Sequence, residues 1–327
     1  MQSNPMTGDM RKEFTHSRHS QSSGSGWEPF DMFRHSPPET RGTSRLWDFA
    51  HPSNLYVLPK QALLFKRAVA STRYQQSIDE PLRRVTDEVL RASAGSFDGA
   101  ARYVDLGPGY PDPTFSSLDP IISVATRVSY TPVDVNPRFL RAACLGAGKK
   151  GLSVVRPLLH SFESLSRHQL GLRPQEAAIF GLGATFMNYE PDRILPLLGR
   201  LASDRDVCVF CAKLRSARAN DSELVSPYQD RANEAFNFSI LDQIGFSRAD
   251  VEYSVEFRGG AIEIGFHITK VPFHLESLGF RVGDYVVTAR SYRHRRSDLL
   301  RRLRAKFSLV RSSEEHDCAA IAIVSGS

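Results

Sequence analysis

The chain has 327 residues, a net charge of +6, 41% hydrophobic residues and 24% charged residues, which is the composition of an ordinary soluble globular protein. No run of about 18 apolar residues occurs, so the sequence predicts no membrane-spanning helix. Ser, His and Gly crowd the first 26 residues, which lack the apolar core of a signal peptide. We therefore expect a cytoplasmic protein with a disordered tail at residues 1–26.

The first predicted elements form a helical segment at 27–100, in which 59–71 has the apolar spacing of an amphipathic helix. From residue 101 onward, strand-like runs occur at 101–107, 129–136, 152–162, 176–186 and 206–214. Helical runs separate them at 113–128, 137–148 and 190–203. This alternation predicts a Rossmann-like α/β core at 101–219, a doubly wound sheet with helices on both faces.

After residue 219 the pattern changes to a helix at 234–246 and a hairpin at 251–271 that turns at a glycine pair. We expect 220–293 to be an insertion that joins the N-terminal helices in a smaller, substrate-covering domain. In the hairpin, Ile262 and Ile264 are expected to face inward and Glu263 outward. The core then returns at 294–327 with a last helix and strand.

Two further patterns have ordinary interpretations. The basic run at 292–306 is interpreted as a solvated helix face, because no aromatic-interleaved patch accompanies it, and no nucleic-acid partner is expected. Cys208 and Cys211 form one CxxC pair, but no second pair follows at metal-ligand spacing. We therefore expect buried thiols and no metal site.

The run YVDLGPG ends a predicted strand on Asp105 and turns over Gly107 and Gly109. Glycines at a strand end let backbone amides approach a ligand closely. The run is not a dinucleotide fingerprint, because Asp112 stands where GxGxxG requires its third glycine, and no Lys-Ser/Thr pair follows for a phosphate. Asp134 ends the next strand, where it is placed to accept hydrogen bonds from ribose hydroxyls. This combination is a signature of S-adenosylmethionine (SAM) binding.

Other motifs follow in order: LFKRAVASTRYQQSIDE at 64–80, YTPVDVN at 130–136, GLGATFMNYEP at 181–191, YQDRANEAFNFSIL at 228–241, GGAIEIGF at 259–266 and VVTARSY at 286–292. Together with the glycine loop, they resemble the histidine N-alpha-methyltransferases of ergothioneine synthesis over roughly residues 60–325. The resemblance implies a class I SAM-methyltransferase fold. It also implies SAM as co-substrate or sole substrate, and a small amino acid as the molecule acted on.

The resemblance implies two sets of site residues. Those expected to act on the substrate are Tyr74, Asn188, Tyr228 and Ser291. Those expected to bind SAM are Asp105, Gly107, Gly109, Tyr110, Asp134, Val135, Ser161, Phe162 and Gly183. Tyr110 either stacks on the sulfonium side of SAM or forms the wall of the turn, whereas Tyr56 is interpreted as a packing residue.

Three positions depart from the family pattern. The family's imidazole-binding glutamate aligns with Ala289, beside the apolar pocket position Ile264. Ser161 stands where the family has an acid that meets adenine, and Met187 replaces a glycine next to the family's asparagine. A buried imidazole N–H without its partner costs about 1–3 kcal/mol. We therefore expect a narrower and less polar pocket that does not take histidine.

The first functional hypothesis is N-methyl transfer from SAM to the amine of another small amino acid, in a monomeric enzyme of secondary metabolism. The alternative is cyclisation of SAM itself to azetidine-2-carboxylate with release of methylthioadenosine, as in azetidine-2-carboxylate synthases. A non-catalytic SAM-binding protein is the third hypothesis. Each hypothesis implies a small molecule as the binding partner.

Overall fold

The computed structural model describes residues 38–41, 44–93, 102–109, 119, 122, 128–216 and 219–325. The predicted disordered tail and Tyr110 lie outside these residues, as does the predicted helix at 113–128 apart from 119, 122 and 128. Among the described helices, none combines the length and the apolar composition that a membrane crossing requires.

The strands are β1 Glu39–Arg41, β2 Ser44–Asp48, β3 Arg102–Leu106, β4 Ser129–Asp134, β5 Ser153–Val154, β6 Leu158–Leu159, β7 Ala178–Gly183, β8 Val207–Lys213, β9 Val251–Arg258, β10 Ala261–Ile268, β11 Tyr285–Tyr292, β12 Phe307–Glu315 and β13 Cys318–Ser325. The α-helices are α1 Pro52–Tyr56, α2 Pro59–Val69, α3 Thr72–Tyr74, α4 Glu80–Ala92, α5 Pro137–Lys149, α6 Pro191–Leu201, α7 Asp221–Val225, α8 Arg231–Ile244 and α9 Arg296–Arg304. A π-helical turn spans Gln75–Asp79, and 3₁₀ turns span Phe162–Ser164, Ala184–Asn188, Ser226–Tyr228, Arg248–Asp250 and Phe273–Leu278.

The main sheet has the strand order β12-β13-β8-β7-β3-β4-β5, with β6 also beside β4. The pairs from β8 to β5 are parallel, and β13 runs antiparallel to β8 and β12. Apolar residues of α4 and α5 pack on one face of this sheet, and those of α6 and α9 pack on the other. The predicted α/β class with helices on both faces is therefore confirmed. Chain order reverses between β3 and β7, where open α/β sheets bind ligands at the strand ends.

The buried strands follow from their sequences. The runs AIFGLG in β7 and VCVFCAK in β8 are apolar almost throughout, as strands covered on both faces must be. Cys208 and Cys211 lie in this core as free thiols, as expected, and burial raises the pKa of Cys211 to about 12. Asn136 caps α5 by accepting the backbone N–H of Arg138 at 2.9 Å, and Pro137 occupies the first turn.

The predicted strand at 152–162 is wrong in its length. It forms two pieces of two residues each, β5 and β6. Arg156 adopts a positive φ of 53° between them, and Pro157 has no backbone N–H to donate to a neighbouring strand. The apolar pattern of this run was compatible with a strand, but the backbone at Arg156 and Pro157 interrupts the hydrogen bonds between strands.

A second sheet has the order β1-β2-β11-β10-β9. The predicted hairpin is β9 and β10, paired antiparallel, and both turn glycines have positive φ, 58° at Gly259 and 85° at Gly260. β11 pairs antiparallel with β10 and parallel with β2. The N-terminal segment is therefore not helical throughout, because β1 and β2 join this sheet.

Glu263 of β10 is buried, not outward-facing as predicted. Its carboxylate binds Arg41 at 2.9 Å and Arg290 at 3.0 Å, and Arg290 also binds Asp48 at 2.6 Å. Arg41 comes from β1, an edge strand that the sequence reading did not include. β1 is the edge strand of the same sheet, so side chains that reach along its face, and not a covering layer, place Glu263 in an ion-pair network.

The basic run divides into two parts. Residues of α9 behave as predicted, with Leu299, Leu300 and Leu303 buried and the arginines of the helix mainly exposed. Arg293, which precedes the helix, is only 3% exposed, so the interpretation of the whole run as a solvated face is wrong.

Candidate active site

A cavity of about 710 Å³ lies between the carboxyl ends of β3, β4 and β7, the helices α1 to α4, and the second sheet. Every site residue predicted from the sequence and described in the structure lines it: Tyr74, Asp105, Gly107, Gly109, Asp134, Val135, Ser161, Phe162, Gly183, Asn188, Tyr228 and Ser291. The size is that of a small-molecule site. The structure therefore brings both predicted sets together, although Tyr110 lies outside the described residues.

The glycine loop follows β3 directly. Gly107 and Gly109 have φ of 75° and 56°, in the region that side chains avoid. Thr185 donates a hydrogen bond to the Gly107 carbonyl at 3.1 Å, and a Cβ on Gly107 would lie 2.9 Å from the same Thr185 hydroxyl. The loop is thus packed against the 3₁₀ turn after β7, and glycine is required there by both conformation and space.

Two buried aspartates flank the loop. Tyr130 donates a hydrogen bond to Asp105 at 2.6 Å, and Asp134 accepts the N–H of Asn136 at 2.8 Å and that of Gly109 at 3.4 Å. Burial raises the pKa of each of these carboxyls to about 7. The Asp134 oxygens each keep a lone pair beyond these bonds, and adjacent ribose hydroxyls are suitable donors for them.

The neighbouring wall is less polar. Phe162 is buried edge-on against Tyr189 at a centroid distance of 5.8 Å. Ser161 begins the 3₁₀ turn and accepts the N–H of Glu163 at 3.4 Å. Gly183 has φ of 47° and no atom within 4 Å of a built Cβ, so it leaves space in the cavity. This wall combines aromatic surface, open space and a hydroxyl, which suits a planar ligand group of mixed polarity.

Tyr56 was predicted to be a packing residue, and this interpretation is incomplete. Its ring packs against Phe65 and Phe236 at centroid distances of 5.4 and 5.5 Å. It also lines the cavity, where the side chain of Asn188 lowers the pKa of the Tyr56 phenol against the larger effect of burial. Burial, together with Tyr228 and Asp134, raises the pKa of Tyr56, so the phenol stays protonated. A tyrosine before a helix gave no sequence signal for this contact.

Tyr74 precedes the π-helical turn, a type of distortion that often occurs at functional sites. The turn places Gln75 and Asp79 on the cavity wall. Burial raises the pKa of Asp79, partly offset by Arg83. Tyr74 itself stands edge-on to Tyr228, with 6.1 Å between ring centroids.

Tyr228 and Ser291 line the cavity and form one connected group with the buried Arg293. The Tyr228 hydroxyl accepts from Arg293 Nη2 at 2.7 Å and lies 3.2 Å from Ser291 Oγ, which accepts from Arg293 Nη1 at 2.8 Å. The sequence reading missed Arg293. Its signal was the alternation of β11, because Ala289, Ser291 and Arg293 occupy every second position and so share one side.

The order of the main sheet, the glycine loop after β3 and the acidic end of β4 define a class I SAM-dependent methyltransferase fold. The chain belongs to the family of histidine-specific, SAM-dependent methyltransferases, whose family model matches residues 63–318. SAM is accordingly its cofactor.

Solved structures of low identity resemble the chain as well. A SAM-dependent methyltransferase from Clostridium acetobutylicum is 12% identical, with a TM-score of 0.43, over 78% of this chain and 96% of its own. A protein from Pyrococcus horikoshii is 12% identical, with a TM-score of 0.46, over 82% of this chain and 100% of its own. OxaC in complex with sinefungin and meleagrin is 10% identical, with a TM-score of 0.40, over 70% of this chain and 43% of its own. No curated protein gives a significant match.

Proposed function

We propose that the protein is an N-methyltransferase that uses SAM to methylate the amine of a small amino acid other than histidine. One observation carries the choice of substrate. Ala289 lines the cavity at the position where histidine-methylating relatives are expected to have a carboxylate, and its partner in the strand register is the apolar Ile264. Neither of these two side chains can accept a hydrogen bond from an imidazole N–H.

The cofactor half of the cavity fits SAM. Gly107 and Gly109 let the loop backbone approach the ligand closely, Asp134 offers acceptor lone pairs to the ribose, and Phe162 offers an aromatic surface to the adenine. When bound, SAM supplies a methyl group on a sulfonium, which is an electrophile that needs no further activation by the protein.

The acceptor half fits the amine and carboxylate of an amino acid. Asn188, Tyr56 and Tyr74 present an amide and two phenols to the cavity, and burial raises the pKa of both phenols. These groups remain neutral and can orient an amine without adding a competing charge. The role of the chain in transfer is therefore positioning and exclusion of water.

The transfer requires an unprotonated amine. Its nitrogen lone pair forms the bond to the methyl carbon while the sulfur–carbon bond breaks and its electron pair stays on sulfur. S-Adenosylhomocysteine (SAH) leaves, and the new ammonium releases its proton to water. Free amino acid amines are mostly protonated at neutral pH, so we expect turnover to rise through the slightly basic range.

We expect histidine to bind weakly, because its imidazole N–H would lie unpaired against Ala289 and Ile264. An unpartnered buried N–H costs about 1–3 kcal/mol, which corresponds to roughly 5- to 150-fold in affinity. Ala289 supplies no replacement for the missing acceptor.

A panel of single amino acids, each incubated with the purified protein and SAM, tests the proposal. We expect SAH and an N-methylated product with at least one amino acid, and neither with histidine. Trimethylhistidine formed as readily as any other product would contradict it.

A further inference from the structure

Arg293 is a buried cation that has no carboxylate partner among the residues that the structure describes. Its guanidinium binds the Tyr228 hydroxyl, the Ser291 hydroxyl, the Tyr292 carbonyl at 3.0 Å and, more weakly, Met187 Sδ at 3.8 Å. Within the part of the chain that the structure describes, no carboxylate forms an ion pair with it, and its Nε has no hydrogen-bond partner. A buried charge of this kind is normally neutralised by an opposite charge.

The hydroxyls of Tyr228 and Ser291 carry the influence of this cation to the cavity. Arg293 donates to both oxygens, so neither hydroxyl can donate back to it. The two hydroxyls share one hydrogen bond, at 3.2 Å. One of the two hydroxyls donates in that bond. The O–H of the second hydroxyl then has no acceptor among the described residues. The pair therefore presents one O–H donor to the cavity.

The surroundings of this donor select its ligand. Ala289 and Ile264 are the apolar neighbours on the same wall and supply no acceptor. A ligand group that donates, such as an imidazole N–H, would face a donor and a buried cation. A carboxylate would accept the O–H and bring a negative charge next to Arg293, as charge-assisted hydrogen bonds require.

We propose that the Tyr228–Ser291 pair, backed by Arg293, binds a side-chain carboxylate, so that the acceptor is an acidic amino acid. This inference rests on the proposed function, because it takes the α-amino group to lie at Tyr56, Tyr74 and Asn188. It adds the chemistry of the opposite end of the substrate. Arg293 acts through the two hydroxyls and is a positioning residue.

Calorimetric titration of amino acids into the SAH-saturated protein tests the inference. We expect L-aspartate or L-glutamate to bind at least tenfold more tightly than L-asparagine, L-glutamine and L-histidine. Ser291→Ala should lower the ratio of acid to amide affinity at least tenfold without changing the affinity for SAH. Ala289→Glu should weaken the binding of the acidic amino acid and strengthen the binding of histidine.

Arg293→Lys keeps the charge and should retain part of the preference, whereas Arg293→Met should lose it. If Arg293→Met does not fold, the Ser291 and Ala289 variants still decide the question. Equal binding of an acid and its amide would overturn this inference alone, whereas preference for histidine would overturn the inference and the proposed substrate together. Binding of SAH with no binding of any amino acid would instead overturn the proposed function.

Discussion

Asp134 connects the glycine loop to the start of α5. Its carboxylate accepts one backbone N–H from Gly109 in the loop and one from Asn136 before the helix. These bonds fix the orientation of the carboxylate and leave acceptor capacity on both oxygens. We therefore expect the placement of the ribose to depend on this residue.

Replacing Asp134 should weaken cofactor binding selectively. Asp134→Ala removes a charged acceptor, and we expect a loss of about 1.5–3 kcal/mol in SAH binding, measured by calorimetry. Asp119→Ala is the matched control, because Asp119 is exposed and pairs with Lys150 away from the cavity. Equal affinity of the Asp134 variant and the control would remove Asp134 from the cofactor site.

Cofactor binding should also depend on pH. Burial raises the pKa of Asp134 from 3.8 to about 7. Its contribution to the stability of the ligand-free protein is thus present below the lower value and is lost as pH rises through the higher one. The ionised carboxylate is the stronger acceptor for a ribose hydroxyl, so binding should release a proton and strengthen with rising pH.

The measurement is the increase in Tm caused by SAH, which we expect to be larger at about pH 8 than at about pH 6. Asp134→Asn should reduce this difference. Some dependence is expected to remain, because burial raises the pKa of Asp105 to about 7 as well. A larger SAH effect at the lower pH would contradict the assignment.

Asn188 is expected to orient the acceptor amine together with Tyr56. Asn188→Ala should lower kcat roughly 10- to 1,000-fold, the range for loss of an orienting hydrogen bond, while SAH affinity falls much less. Asn220→Ala, at the exposed cap of α7, serves as control for the substitution itself. Unchanged kcat in the Asn188 variant would show that the motif GLGATFMNYEP is aligned incorrectly.

At the residue scale, sequence reasoning located the residues that belong to short motifs and missed those defined by tertiary contacts. Asp105 and Asp134 follow from their positions at strand ends, and the structure places both at the cavity. Arg293 was assigned to a solvated run because neighbouring arginines dominate the local composition. Glu263 was predicted to face solvent, because the alternation of apolar and polar residues predicts which face of a strand a side chain occupies. It does not predict that arginine side chains bury the carboxylate on that face.

At the scale of elements, the hairpin and β11 position the far wall of the cavity. Their pairing shifts register between Ile264 and Gly265, so a bulge lies beside the two apolar wall residues. A Cβ built on Gly265 would lie 2.2 Å from the carbonyl oxygen of Val286, which is backbone and cannot rotate away. Glycine at this bulge is therefore required by space.

Gly265→Ala should destabilise the protein by about 1–3 kcal/mol or more, measured by denaturant unfolding, because the two strands must separate. Gly148→Ala is the opposite control. Gly148 is exposed in α5 with no atom within 4 Å of a built Cβ, so alanine there should stabilise by up to about 1 kcal/mol. Similar unfolding midpoints for the two variants would contradict the described register.

Elements with strong periodicity were predictable. The apolar runs of β7 and β8, the capped helix α5 and the glycine-turned hairpin all carry local signals that agree with their tertiary setting. β1 and β2 carry little such signal, since they are short, and they join the sheet through the pairing of β2 with β11, far away in the chain. The split of 152–162 depends on one residue with positive φ, which an apolar pattern does not reveal.

At the scale of the whole molecule, the cavity lies between two sheets with different tasks. The main sheet contributes the cofactor half, which its topology and the glycine loop specify. The second sheet contributes the wall of Ile264, Ala289 and Ser291, to which we assign the choice of substrate. We therefore expect cofactor and substrate specificity to depend mainly on different parts of the chain, and sequence motifs indicated mainly the residues of the first.

The nucleoside product of the reaction is the most direct test of the account. The purified protein is incubated with SAM alone and with SAM plus the amino acid panel, and SAH is resolved from methylthioadenosine by mass. Methyl transfer predicts SAH only when an amino acid is present, and no methylthioadenosine in either sample. Methylthioadenosine formed from SAM alone would contradict it and identify a cyclase, and tight SAM binding without either product would identify a non-catalytic protein.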